Sequence, residues 1–192
     1  GYFPMNGLEV ETNAKEADVE IELRAQLGLF KKYGIEPSHV DNHMGTLYGF
    51  AGRQSFLPLA FRLCAELGLP FRFPRGFLPN DGITEHLPPQ VLAELPEAAA
   101  LADNLGVPLA DYVIAPPFVG LPGETYEMFR DSVCELILHP SFDSPEIHAM
   151  NPHWQKRVWE ERLCRDEVFI KTIEKSGFKR VTWRDVPSLA MR

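Results

Sequence analysis

Helix-period segments alternate with short apolar runs along most of this 192-residue chain, and that alternation leaves few architectures open. Residues 14 to 33 hold Val19, Leu23, Leu27 and Phe30 at helical spacing and stop at Gly34. A short strand is expected over Ser38 to Asp41. Residues 53 to 67 repeat the helical pattern with Phe56, Ala60, Leu63 and Leu67, close at Gly68, and lead into a second strand, Leu69 to Phe73. Ten of the 17 prolines fall between Pro70 and Pro122, but apolar runs continue between them, so they punctuate loops around a helix over Pro89 to Leu105. Tyr112 to Ala115 and Glu135 to Leu138 predict buried strands, Trp154 to Ser176 a long helix, and Arg180 to Trp183 a last strand. Strands separated by helices predict an α/β layer structure with a parallel sheet or barrel, and the length fits one domain over 1-192.

Composition narrows the function classes. The formal charge of -8 and pI near 5.3 argue against a nucleic-acid surface, which needs a basic face to neutralise phosphates. No apolar run approaches the roughly 20 residues that span a bilayer, and no charged-then-apolar leader is visible, so neither a membrane nor secretion is expected. Cys64, Cys134 and Cys164 are odd in number and widely spaced, which predicts small buried hydrophobes in a reducing compartment, the cytoplasm.

In parallel α/β folds, ligands gather where the strands end at their carboxyl side. Two groups of reactive side chains sit there. In HVDNHMGTLYG, strand alternation would place His39, Asp41 and His43 on one side, and imidazole with carboxylate suits a divalent metal of zinc type. His139 follows the apolar run CELIL and precedes Pro140, which ends the strand. Taken singly, each has a plain structural alternative: a hydrogen-bonded strand-end histidine, or a histidine that caps a turn. His86, His148 and His153 fall in expected loops or at a helix start and are expected to be solvent-exposed. Arg72 and Arg75 flank Phe71 to Phe73 and are most simply surface charges, though alternation would turn one inward. Glu160, Glu161, Arg162, Arg165, Asp166 and Glu167 are expected to form a solvated helix face with i to i+4 pairs.

Several of these pieces occur together in one order. GIEPSHVDNHMGTLYG follows the helix EIELRAQLGLFKKY and precedes FRFPR, CELILHPSFDSPE, an Arg-bearing helix and WRDV. This ordered set resembles the YdjC-like (ChbG-type) carbohydrate deacetylase family. The resemblance implies a distorted TIM-like β/α barrel and a metal-dependent hydrolase that removes an N-acetyl group from an amino sugar or oligosaccharide. It matches His43 to a metal-binding histidine and Asp41 to an aspartate that orients a histidine or water. It matches His139 to an active-site proton donor or acceptor and Arg72 to a substrate-facing arginine. The cofactor implied is one divalent metal ion, zinc or magnesium, and the partner a small carbohydrate. The arginine of the last helix corresponds to Arg162 or Arg165.

The family's Asp-Asp-Phe-Gly strand and its later Leu-His or Met-His strand, which supply the catalytic aspartate and two more metal ligands, are not among these 192 residues. The chain therefore corresponds to the C-terminal two-thirds of such a barrel, lacking its first strands. Met44, Gly45 and Thr46 stand where members commonly carry further histidines, as in a divergent branch. The sheet edges of such a piece would be compatible with a homo-oligomer. Other expectations are a non-catalytic sugar- or partner-binding fragment, and a metal-dependent phosphoesterase; against the latter, no GxxxxGK loop is present.

Overall fold

Gly68 takes a left-handed φ of 66°, which only glycine adopts cheaply, and so ends a helix and turns the chain into its sheet. The computed structural model describes residues 4–77, 83, 84, 87–115, 129 and 131–190. Helices α1 (Gly7–Asn13), α2 (Glu16–Lys32) and α3 (Leu57–Leu67) lead to β1 (Pro74–Gly76), α4 (Pro89–Asn104), β2 (Ala110–Ile114) and β3 (Cys134–Leu136). Then follow α5 (Pro145–Met150), α6 (Trp154–Arg165), α7 (Glu167–Lys175) and α8 (Val186–Ala190).

The strands form a parallel sheet in the order β1-β2-β3, with Pro74 opposite Ala110 and Tyr112 opposite Cys134. Asp111 pins the last register from both sides. Its backbone N–H donates to the Val133 carbonyl at 2.8 Å, and its Oδ2 accepts the Val133 N–H at 2.7 Å. On the β1 side, a parallel bridge between Val40 and Phe71 extends the pairing, through Val40 N–H to the Pro70 carbonyl and Arg72 N–H to the Val40 carbonyl. The mixed α/β architecture with a parallel sheet is the class that the alternating pattern predicts.

The core lies between this sheet and α3 and α4. Phe61, fully buried, meets Phe71 edge-on at 5.5 Å and Phe73 at 6.1 Å, and Leu95, Ala99, Ala102 and Leu109 complete the cluster. Burial pushes the thiol of Cys64, also in this cluster, up to about 12. Cys164, by contrast, is exposed, because it falls on the outer side of α6. Helix α2 leans on the core through Val19 and Leu23 and is tied to α3 by a two-pronged contact of Arg24 with Glu66 at 2.9 and 2.7 Å.

Four expected elements differ. The strand expected over Leu69 to Phe73 forms instead as β1 over Pro74–Gly76, with Phe71 making only an isolated bridge, because Phe73 N–H turns back to the Phe71 carbonyl. Residues 38 to 41 make one bridge at Val40 rather than a strand, because the chain turns at once into a 3-10 turn, His43–Gly45, in which Met44 has φ of 58°. The long helix expected over Trp154 to Ser176 breaks at Asp166, whose Oδ1 caps α7 by accepting the N–H groups of Val168 and Phe169. Residues 180 to 183 are not a strand; Asp185 instead closes a turn by accepting the backbone N–H and hydroxyl of Thr182.

Candidate functional site

Arg72 sits in a kink between the Val40–Phe71 bridge and β1, where Phe73 N–H turns back to the Phe71 carbonyl. The kink aims its guanidinium at two carboxylates. Nη1 meets Asp41 Oδ2 at 2.7 Å, and Nε meets Glu135 Oε2 at 2.6 Å. Burial works against the Arg72 charge, but Glu135 and then Asp41 more than offset it, so its pKa is raised. Tyr48 packs edge-on against Phe73 at 5.0 Å and donates its hydroxyl to the Arg72 carbonyl, which fixes the backbone from which the guanidinium projects. Arg75, three residues on, faces away and grips Asp103 of α4 at 2.9 and 2.6 Å. Of these two arginines, then, Arg72 is no surface charge.

Two histidines feel this cluster. His39 lies beside Asp41 and stacks on Trp183, with ring centroids 4.8 Å apart and planes 14° apart. Partial burial holds its ring below the ordinary histidine value; Asp41 and Glu135 oppose that, and Arg72 adds to it. His139 is held low by partial burial and then by Arg157; Glu160 opposes this, and Arg72 contributes again. Asp41 and Glu135, far apart in sequence, thus converge on one guanidinium, whose charge both rings feel. Beside Glu135 a mainly apolar cavity of about 460 Å³ is lined by Ile114, Phe129, Leu136, Trp183 and Val186, a size and polarity suited to a small organic ligand.

The three side chains of HVDNH do not share a face. With only Val40 extended into the pairing, His39 turns to Trp183, Asp41 to Arg72, and His43 stands exposed on the 3-10 turn. Asp41 also accepts the Asn42 N–H at 2.6 Å. Among the described residues, no three His, Cys, Asp or Glu side chains gather so as to hold a metal ion. The described residues therefore do not by themselves form a metal centre.

Sequence reasoning passed over three residues. Glu135 is a carboxylate inside an otherwise apolar strand, and that misfit was its signal. Glu160 is buried, not on a solvated face. The helix arginine beside His139 is Arg157; Arg162 is exposed, and Arg165 pairs with Glu161. His148, paired with Asp143 at 2.7 Å, and His153 are exposed as expected, whereas His86 lies outside the described residues.

The sequence profile of the YdjC-like protein family matches residues 1–175. The chain belongs to the YdjC-like family. Its similarity to named family relatives is lower. A carbohydrate deacetylase of Geobacillus stearothermophilus is 25% identical over 187 residues, covering 96% of this chain and 66% of that enzyme. A carbohydrate deacetylase of Brevibacillus brevis is 24% identical over 139 residues, covering 65% of this chain and 54% of that enzyme. A crystal structure from Enterococcus faecalis, described as a candidate cellobiose-phosphate cleavage protein, shares the fold with a TM-score of 0.65 at 21% identity, over 94% of this chain and 64% of that one. This YdjC-like chain thus spans less than two thirds of the length of the relatives it matches. No helix among the described residues is long and apolar enough to cross a membrane.

Proposed function

We propose that this protein is a carbohydrate deacetylase, a metal-dependent hydrolase that removes an N-acetyl group from an amino sugar or oligosaccharide. The observation that carries this reading is the arrangement around Arg72: it holds Asp41 and Glu135, its charge reaches His39 and His139, and a sugar-sized cavity adjoins Glu135. Family membership and the names of the two deacetylase relatives support the reaction class.

The reaction adds water across an amide and yields acetate and a free amino sugar. In this proposal His139, on the loop after β3, hands a proton to the departing amine. Arg72, with Asp41 and Glu135 as its counter-charges, presents a fixed planar donor to sugar hydroxyl or carbonyl oxygens. Asp41 acts in this proposal as an orienter of a neighbouring ring or water. The proposal includes a divalent ion, zinc or magnesium, with His43 as one ligand, and it places the parallel strands in a distorted TIM-like barrel.

Acetate release from N-acetylglucosamine oligomers, measured with added zinc, with added magnesium and with chelator, tests the reading. His139→Ala and His43→Ala are expected to lower kcat/KM by about 100-fold or more. If both variants match the parent, the proposal fails. Sugar binding without acetate release would favour the non-catalytic alternative, which gains from the single candidate ligand among the described residues.

A further inference from the structure

Helix α6 carries a carboxylate where water does not reach. Glu160 is 1% exposed, and an ionised carboxylate is kept in such a place only when its oxygens are met by donors. Its Oε2 accepts the backbone N–H of His139 at 2.8 Å and lies 3.4 Å from Arg157 Nη1, about one turn earlier on the same helix. The residue after His139 is Pro140, which has no N–H to give, and the next, Ser141, donates its N–H to the Arg157 carbonyl at 3.1 Å. Both backbone donors that flank the proline are therefore held by one turn of α6. Holding that loop would need only a neutral acceptor; an ionised one also sets the charge around the ring. The charges felt by His139 are Arg157, Lys156 and Glu160 from α6 and Arg72 from the kink before β1, three cations against one carboxylate.

We propose that Glu160 is the positioning residue of His139: its buried carboxylate fixes the backbone from which the imidazole projects and counterbalances Arg157 beside it. The catalytic consequence rests on the deacetylase reading, while the positioning itself does not.

The test separates the two. The His139 ring is titrated by NMR in the parent protein, in Glu160→Gln, which keeps the shape and an acceptor oxygen, and in Arg157→Met. Loss of the carboxylate is expected to lower the titration midpoint of His139 by about half a unit or more, and loss of the guanidinium to raise it by a similar amount. Opposite shifts cannot arise from general loosening of the fold, which would move both variants the same way. Amide exchange at His139 is expected to rise about tenfold or more in Glu160→Ala, because the N–H then loses its acceptor. In acetate-release assays Glu160→Gln is expected to lower kcat about tenfold with KM unchanged, with partial recovery in Glu160→Asp. Equal His139 midpoints in all three proteins, or shifts of the same sign in both variants, overturn the positioning role. No acetate release from the parent protein overturns the deacetylase reading and leaves the titration to decide the role of Glu160.

Discussion

Replacing Arg72 by Met removes one guanidinium from two carboxylates and keeps the length of the side chain. The contacts at 2.7 Å to Asp41 and 2.6 Å to Glu135 are charge-assisted hydrogen bonds, worth roughly 1.5–3 kcal/mol each when well shielded. Here the side chains are 21% exposed for Arg72, 34% for Asp41 and 26% for Glu135, so solvent screening brings each contact nearer about 1 kcal/mol. Loss of the cation also leaves two like charges without compensation. The sum is about 2–3 kcal/mol, or roughly 5–10 °C in Tm for a chain of this size. The Tyr48 hydroxyl bond is to the Arg72 backbone and survives the change. Thermal unfolding of Arg72→Met, and of the same variant carrying Glu135→Gln, checks the reasoning. The second substitution removes the repulsion and is expected to restore about 1 kcal/mol. A single variant melting within about 2 °C of the parent, or a double variant no more stable than the single, would refute the view of these three residues as one coupled charge network.

Two further outcomes are expected. Asp166→Ala removes the acceptor for Val168 and Phe169 N–H at 2.7 and 3.1 Å, and is expected to cost about 1 kcal/mol in urea unfolding, while Glu167→Ala next to it costs much less. The folded state holds His39 and His139 below their ordinary value, so between their folded values and about 6.5 the unfolded chain binds more protons and stability rises with pH. Urea midpoints measured from pH 5 to 8 are expected to climb and level off above about pH 6.5; a decline over that range would contradict the sign. Asp103, held low by Arg75, and Asp185, held low by Thr182, add a second loss of the same sign in more acidic solution, below about pH 4.

The helices that pack on the sheet were legible because their signals are local. Gly68 marks the end of α3, and Pro88 and Pro89 mark the start of α4. Parallel pairing was legible as a class, since alternating elements imply it; the order of the strands was not. What the letters could not show is which charged residues are taken out of water. Glu160 and Glu161 are neighbours of one type, yet one is buried against His139 and the other pairs with Arg165 near the surface. The period of α6 alone does not distinguish them, because the loop after β3 decides which of the two is covered. The break at Asp166 was present in the sequence as a good N-cap residue, but a run of charges hid it. For the histidines, position along the chain was right and direction was wrong: a strand rule was applied to a stretch with a single bridge.

The contacts that build the site share one property, their distance along the chain. Arg72 reaches Asp41 across 31 residues and Glu135 across 63, and Arg184 reaches the Glu36 carbonyl across 148. Each waits for a long loop to close, and folding slows as such contacts come to dominate. The stretch carrying Trp183 and Arg184 leaves the ribosome long after the stretch carrying His39 has emerged. For that interval the nascent chain holds the His39 segment without the groups that later pack on it, so its uncovered surface faces other chains. Slow translation, or high concentration before completion, is thus expected to divert this protein toward association rather than toward a finished site.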